Sequence, residues 1–476
     1  MGDVRGFLKI KRTLAGFRPV SERIKDYLEV ALLPSDEHSH KQASRCMDCG
    51  TPFCQIGCPL GNYIPEWNDF IFRKQWQKAY ELLSNTNNLP EITGRLCPAP
   101  CEYACVLGIN DEPVTIRENE LSIIEYAFKN GYVMPKPLLR RNGKKVAIIG
   151  SGPAGLSCAD QINKLGYKAV VFEKDDKPGG LLRYGVPDFK LEKCILNRRL
   201  DILKKEGIEF ICGQEVGKDI KLKKLIKEFD ALCLAGGSRV ARDLDIEGRN
   251  LKGIYFALDY LKQANRQVAG EKIPQDELID VKDKNVVVLG AGDTGSDCIG
   301  VANRKGARKI IQIELLPKPP ETRQPNCPWP KYPLLFKTSS SHEEGVERYW
   351  QVLTKKFIGE TGKVKKLLCI KVEFTRDNQG CFKIKEIPKT EFEIDADLVI
   401  LALGFIKPQT ESFVEELGLE LDQCRNIKTN KNFMTSHKKI FACGDMRTGQ
   451  SLIVKAISEG RLCADHINRY LKDNPI

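Results

Sequence analysis

Two stretches of this 476-residue chain repeat one local grammar: an apolar strand, a glycine-rich turn, a helix and a second strand. The first reads "KKVAIIGSGPAGLSCADQINKLG" followed by "KAVVFEK", from Lys144 to Lys174. The second reads "KNVVVLGAGDTGSDCIGVANRKG" followed by "ARKIIQIE", from Lys284 to Glu314. A strand, a helix and a strand in that order form a βαβ unit, and βαβ units build parallel sheets. Two such units far apart in one chain demand two sheets, so the fold class is α/β with two Rossmann-like domains.

The turns carry the spacing G-x-G-x-x-G. In the first, Gly150 allows the tight turn, Gly152 lets backbone approach a pyrophosphate, and Gly155 lets the helix pack on the strand. Pro153 and Ala154 open the helix, whose N-terminus offers N–H groups and a favourable dipole to phosphate. Glu173 ends the following strand, eighteen residues after Gly155, where an acid holds ribose hydroxyls. In the second turn Gly290, Gly292, Asp293, Thr294 and Gly295 hold the same places, with Glu314 at the ribose position. A chain with two such folds commonly holds a bound flavin and an exchangeable nicotinamide. "PGGLLRYGVP", with Gly180 and Leu181, resembles the flavin-side loop of two-dinucleotide flavoproteins. "FDALCLAGGS", with Gly236, resembles the strand and turn where such chains leave the flavin domain. "KKIFACGDM", with Gly444 and Asp445, resembles their closing motif, in which Asp445 holds the ribityl chain. FAD is therefore expected in the first fold and NAD(P)H in the second. A carboxylate at Glu314 repels a 2′-phosphate and favours NADH, while Arg304, Lys305, Arg308 and Arg323 are close enough in sequence to keep NADPH open.

These motifs divide the chain. Residues 1–140 read as helix and loop, with helices expected over "IPEWNDFIFRKQWQKAYELLSNTNN" and "VTIRENELSIIEYAFKNGY". The basic linker 136–145 is expected to be solvated, with a contact to the N-terminal domain or to a partner as the alternative. Residues 141–250 together with 404–476 are expected to form the FAD-binding domain, and 251–403 an inserted NAD(P)H-binding domain.

The N-terminal domain holds the second constraint. Seven of the chain's 18 cysteines lie between Cys46 and Cys105. They fall in two runs, Cys46-x2-Cys49-x4-Cys54-x3-Cys58-Pro59 and Cys97-Pro-Ala-Pro-Cys101-x3-Cys105. Close spacing with a trailing Cys-Pro resembles bacterial ferredoxin runs. Zinc is the alternative, since C-x2-C is also a zinc knuckle, but seven thiolates fit neither one tetrahedral site nor two. Buried free thiols are the third reading. Two [4Fe–4S] clusters need eight ligands, and Glu118 or Glu120 in "VTIRENEL" offers a carboxylate for the eighth. The plain reading of either is an exposed helix acid. The other eleven cysteines lie in apolar runs and read as small buried side chains.

Composition excludes more than it selects. Apolar and charged contents of 42% and 29% are those of a globular chain, and no apolar run is long enough to span a bilayer. The N-terminus lacks the apolar stretch of a secretory signal, so a cytoplasmic location is expected. The net charge of +12 has no basic arm with interleaved aromatics, which argues against nucleic acid. Residues 1–140 balance 17 basic against 17 acidic side chains, and the excess is spread over the remainder.

Taken together, "RCMDCGTPFCQIGCPLGNYIPEWNDF", "GRLCPAPCEYACVLGINDEPVTI", "IELLPKPPE" and "TSSSHEEGVERYW" resemble the small (β) subunit of glutamate synthase over nearly the whole chain. The resemblance extends to the two-cluster, FAD and nicotinamide half of dihydropyrimidine dehydrogenase. It implies an NAD(P)H-dependent flavoprotein oxidoreductase whose two-[4Fe–4S] helical domain passes electrons to a large (α) subunit. That subunit hydrolyses glutamine and reduces 2-iminoglutarate, so a hetero-oligomer is implied. By the dehydrogenase's interleaved ligation, one cluster takes Cys46, Cys49, Cys54 and Cys105, and the other Cys58, Cys97 and Cys101. A glutamine completes the second cluster there, and the aligned residue here is Glu120. Direct hydride transfer between stacked rings needs no side-chain acid or base, so no catalytic residue is expected. Met1-Gly2 offers no N-terminal nucleophilic cysteine, which leads to the expectation of an electron-input subunit rather than a complete synthase. A stand-alone ferredoxin or sulfur oxidoreductase, and a non-catalytic cluster-bearing subunit, are the rival readings.

Overall fold

A computed structural model describes residues 2–376 and 382–474. Each βαβ unit nucleates its own five-stranded parallel sheet. In the first, the order is Ile440–Ala442, Ala231–Leu234, Lys145–Ile149, Lys168–Glu173 and Glu209–Cys212. In the second it is Ile254–Phe256, Leu398–Leu401, Asn285–Leu289, Lys309–Glu314 and Glu347–Trp350. The fingerprint strand is central in both, because Val146–Ile149 and Val286–Leu289 are buried and only a central strand hides both faces. The chain leaves the first sheet through Val240–Ala241 and returns through Phe405–Lys407, and these two short strands pair antiparallel. An antiparallel sheet, Val352–Glu360 with Lys363–Arg376, Phe382–Glu386 and Phe392–Asp395, flanks the second parallel sheet. Phe357, Leu367 and Cys369 from it join Val287 and Val399 in one core.

The N-terminal region is helical as the apolar spacing requires, with one difference. The first expected helix is two, Ile64–Phe72 and Trp76–Thr86, broken where Lys74 takes φ 58°. The break turns the second helix so that Ile71, Trp76, Ala79 and Leu83 all reach one core with Trp67. The second expected helix, Ile116–Lys129, stands as one element.

The linker 136–145 is exposed almost throughout, as expected, and is tied down near its end. Arg141 donates to the carbonyls of Tyr167 and Glu206 and to Asn163, and Lys144 donates to the carbonyls of Leu471 and Asn474. Its cations satisfy carbonyls at the ends of helices on the first sheet, a favourable place for positive charge.

Two kinds of contact lock the cysteine-bearing region to the first sheet. Leu89 and Ile92 enter that sheet's core, and Val454, from the long helix Ile453–Asp473, enters the core around the cysteines. Arg199 and Glu91, both buried, form a two-pronged ion pair at 2.7 and 3.0 Å. Breaking such a pair leaves a charge without water or counter-ion, which costs roughly 3–5 kcal/mol. Arg199→Ala should therefore lower the midpoint of the first thermal unfolding transition sharply, while Arg199→Met with Glu91→Leu should restore most of it. Equal midpoints for the single and double variants would show that the buried charge is not the cause.

Candidate dinucleotide and cluster sites

The two glycine turns share their backbone geometry and a brace from the following strand's acid. Gly150 and Gly290 take φ 107° and 111°, and a Cβ at either would meet the carbonyl oxygen of Ala235 at 2.5 Å or of Ala402 at 2.3 Å. Gly155 and Gly295 pack against their own turns, with a Cβ falling 1.9 and 2.3 Å from the carbonyl oxygens of Gly150 and Gly290. Gly152 and Gly292 differ. Each has ordinary extended backbone, and a Cβ there would project into open space at the N-terminus of the helix Pro153–Lys164 or Asp293–Arg304. The carboxylates expected to hold ribose also brace the turns. Glu173 accepts from the N–H of Ser151 at 3.1 Å and of Asp175 at 3.0 Å, and Glu314 from the N–H of Ala291 at 2.8 Å and of Leu316 at 3.0 Å.

A cavity of about 370 Å³ opens over the first turn. Gly150, Gly152, Pro153, Ala154, Glu173, Gly180, Leu181, Gly236 and Asp445 line it. Gly155 and Gly444 lie behind that surface. A Cβ on Gly444 would sit 2.7 Å from that of Ala154, so its role is to let the closing turn touch the helix start. Burial pushes the Asp445 carboxyl up to about 6, against a hydrogen bond from Ser451 at 3.0 Å. The cavity also takes in Val216, Arg239 and Gln409, which no motif marked. Only the glycines flanking "GQEVGKD" signalled a turn there.

Around Glu314 the four basic residues that kept NADPH open are all committed elsewhere. Arg304 pairs with Glu344, Lys305 bonds Gln267, and Arg308 bonds Asp397 and Asn285 at the far end of the strand. Arg323 bonds the carbonyls of Cys327, Lys331 and Tyr103.

The seven N-terminal cysteines gather because the two runs touch. Gly57, between Cys54 and Cys58, faces Ala104, between Cys101 and Cys105, and a Cβ on Gly57 would fall 2.6 Å from that of Ala104. Left-handed backbone at Ala99, φ 58°, folds the Cys97-Pro-Ala-Pro-Cys101 loop back on itself. As a result Cys46, Cys49, Cys54 and Cys105 line one cavity. Cys58, Cys97, Cys101 and Glu120 are all buried and near enough to feel one another's charge, which makes them a second set. Burial, then the charge of Glu120, raises the Cys97 thiol to about 12, and burial raises Cys46 to about 12 and Cys58 to about 11. Such thiols stay protonated unless a cation replaces the proton. Glu120 is not the exposed helix acid of the plain reading. Burial raises it to about 7, and Asn87 and Thr93 both donate to its Oε1. Glu118 is instead engaged by the N–H of Ala15.

The remaining cysteines divide. Cys158, Cys233, Cys298, Cys369, Cys443 and Cys463 are buried as expected, but Cys194 and Cys424 are exposed and Cys212 and Cys327 half-buried. Cys381 lies outside the described residues. The sulfurs of Cys158, Cys233 and Cys463 lie within 4.8 Å of one another in the apolar core of the first sheet. Burial pushes the Cys463 thiol well up, and the group packs as small apolar side chains. Among the described residues no helix is long and apolar enough to cross a membrane.

Known proteins match this arrangement part by part. Residues 144–460 match the family described as pyridine nucleotide-disulphide oxidoreductase, and residues 23–132 match dihydropyrimidine dehydrogenase domain II, 4Fe-4S cluster. FprA from Mycobacterium tuberculosis, solved in complex with NADPH, shares the fold at a TM-score of 0.54 and 17% identity, over 71% of this chain and 85% of that one. The glutamate synthase [NADPH] small chain of Mycobacterium tuberculosis is 47% identical over 99% of this chain and 96% of its own length. That of Bacillus subtilis is 42% identical over 100% of both chains. Glutamate synthase [NADH] of Schizosaccharomyces pombe is 44% identical over 98% of this chain, which spans 23% of that longer protein. At these identities over nearly its whole length, with twin glycine turns and two cysteine sets in one fold, the chain belongs to the glutamate synthase small-chain family.

Proposed function

We propose that this chain oxidises NAD(P)H at FAD and passes the electrons through two [4Fe–4S] clusters to a glutamate synthase large subunit. The observation that carries the proposal is the gathering of seven cysteines and Glu120 into two sets in a region packed on the sheet that carries the dinucleotide cavity. In this reading Gly150, Gly152, Pro153, Ala154 and Gly155 receive the FAD pyrophosphate, Glu173 its ribose and Asp445 its ribityl chain. Gly180, Leu181, Gly236 and Gly444 shape the walls. Gly290, Gly292, Asp293, Thr294 and Gly295 receive the nicotinamide dinucleotide's phosphates, and Glu314 its adenosine ribose. Bound FAD supplies the conversion of a two-electron hydride donor into single electrons. Cys46, Cys49, Cys54 and Cys105 hold one cluster, and Cys58, Cys97, Cys101 and Glu120 the other. Glu120 suits the eighth place because both of its hydrogen bonds end on Oε1, leaving Oε2 to a metal. The first set includes the half-buried Cys46, Cys49 and Cys54, and so lies nearer solvent than the second, buried set. The units are 1–140, 141–250 with 404–476, and 251–403, acting in the cytoplasm within a hetero-oligomer. Co-purification tests the assembly: affinity-tagged chain should retain the large subunit, and its recovery alone from cells making both would count against the proposal.

NADH is the preferred donor in this reading. Glu314 occupies the ribose corner, and Arg304, Lys305, Arg308 and Arg323 are spent elsewhere. Relatives carry both labels, NADPH in the bacterial chains and NADH in the fission yeast protein. Glu314→Arg should shift the ratio of kcat/KM toward NADPH by about tenfold or more, by removing repulsion and adding a phosphate partner. A wild type that already prefers NADPH strongly would overturn this assignment.

A further inference from the structure

Gln312 is an anomaly in its strand. Lys309–Glu314 reads "KIIQIE", and Gln312 is buried among Ile310, Ile311 and Ile313. Its partner residue in the first sheet's register is apolar: Val171 stands two places before Glu173, as Gln312 stands two places before Glu314. A buried amide needs partners, and Gln312 has one at each end. Its Nε2 donates to the carbonyl oxygen of Gly290 at 3.0 Å, and its Oε1 lies 3.1 Å from Nε2 of His342. The main chain fixes every proton in this relay. The Gly290 carbonyl can only accept, so the amide's nitrogen faces it and its oxygen faces the histidine. The Ser339 N–H can only donate, at 3.1 Å to His342 Nδ1, so the proton of the neutral ring sits on Nε2. Burial, then Arg348 and Lys190, lowers the His342 imidazolium pKa to about 4, in keeping with a neutral ring. Ser339 in turn bonds Ser296 on the helix that follows the glycine turn.

We propose that His342 is a positioning residue for nicotinamide binding, acting through Gln312 on the first glycine of the second fingerprint. The strand then grips one peptide plane of the turn at both of its polar groups: Gln312 holds the Gly290 carbonyl and Glu314 holds the Ala291 N–H. Rotation of this peptide would swing the N–H groups at Gly292 and Asp293 away from the pyrophosphate. The first fold carries no such tie from its strand, where Val171 replaces the amide. The relay thus serves the dinucleotide that exchanges each turnover, the one whose turn must keep its shape when empty.

The proposal rests on the second fold taking NAD(P)H, and two isosteres of histidine test it. His342→Gln keeps a donor near the place of Nε2 and loses the Nδ1 acceptor. His342→Asn keeps an acceptor near the place of Nδ1, and with it the cap on Ser339, and loses the donor to Gln312. Steady-state oxidation of NAD(P)H by ferricyanide is measured for the purified holoprotein, with Gly292→Val as a control. His342→Asn should raise the KM for NAD(P)H ~5-fold, the worth of about one hydrogen bond, at unchanged kcat and flavin content, and His342→Gln should stay within about twofold of wild type. The reverse order would assign His342 to capping alone and overturn the proposal, as would a wild-type KM in both variants. If both variants raise KM, each is repeated with Gln312→Leu. Absence of a further rise then supports the relay, and a full further rise overturns it. A Gly292→Val control with normal KM would instead remove the reading of the second fold on which the relay stands.

Discussion

Cys49→Ser leaves NAD(P)H oxidation by artificial flavin oxidants within about twofold of wild type, while glutamate formation with the large subunit falls to background: this is the expected result if the cysteines carry electrons. Reduction of the flavin needs the second fold and FAD only, whereas onward transfer needs the thiolate ligands. Cys49 lines its cavity with Cys46, Cys54 and Cys105, and neither dinucleotide turn draws on that cavity. Metal binding and folding are coupled, so loss of a cluster threatens the N-terminal region itself. Complex formation is therefore checked separately, by gel filtration of the variant with the large subunit. Iron and acid-labile sulfide of the wild type should approach about eight of each per chain. An assembled Cys49→Ser complex with normal glutamate output, or a wild type with zinc and no sulfide, would refute the role of these cysteines.

The second large effect concerns the first glycine turn. Gly152→Val should yield a folded protein with less than about a tenth of the wild-type flavin. The backbone there, φ −71° and ψ −177°, is one that valine adopts freely, and no protein atom lies within 4 Å of the added Cβ. The fold thus tolerates the side chain, and only a pyrophosphate at the helix N-terminus would collide with it. Gly155→Val is the contrast: its Cβ would lie 1.9 Å from the Gly150 carbonyl oxygen, so it should unfold the turn with or without ligand. Full flavin absorbance in folded Gly152→Val would show that FAD binds elsewhere. A loss of folding equal to that of Gly155→Val would remove the distinction between cradle and packing glycines.

What could be read from the sequence was what is local. Each glycine turn is fixed by six neighbouring residues and one acid at the next strand's end, and both stand where the spacing put them. The pairing of cysteines is not local. It depends on Gly57 meeting Ala104, residues more than forty positions apart, and spacing alone left iron–sulfur, zinc and free thiols open. The grouping of Cys46, Cys49 and Cys54 with Cys105 came from the family resemblance. Periodicity missed the break at Lys74 because the apolar spacing continues across it. The partners of charged residues are not local either. Arg141 and Lys144, in an exposed linker, reach helix-end carbonyls, and Arg304, Lys305, Arg308 and Arg323 bond Glu344, Gln267, Asp397 and loop carbonyls. Gln312 is legible in the sequence, since an amide in a strand of isoleucines asks for a buried partner.

The central claim is that electrons entering from NAD(P)H leave as glutamate made on another chain. It is tested most directly by mixing the purified chain with the large subunit, glutamine and 2-oxoglutarate, and counting glutamate formed against NAD(P)H consumed. Carbon and nitrogen balance require two glutamates for each NAD(P)H oxidised, with neither subunit producing any alone from that donor. NAD(P)H consumed at the same rate without glutamate, with electrons going to oxygen or a ferredoxin instead, would contradict the account.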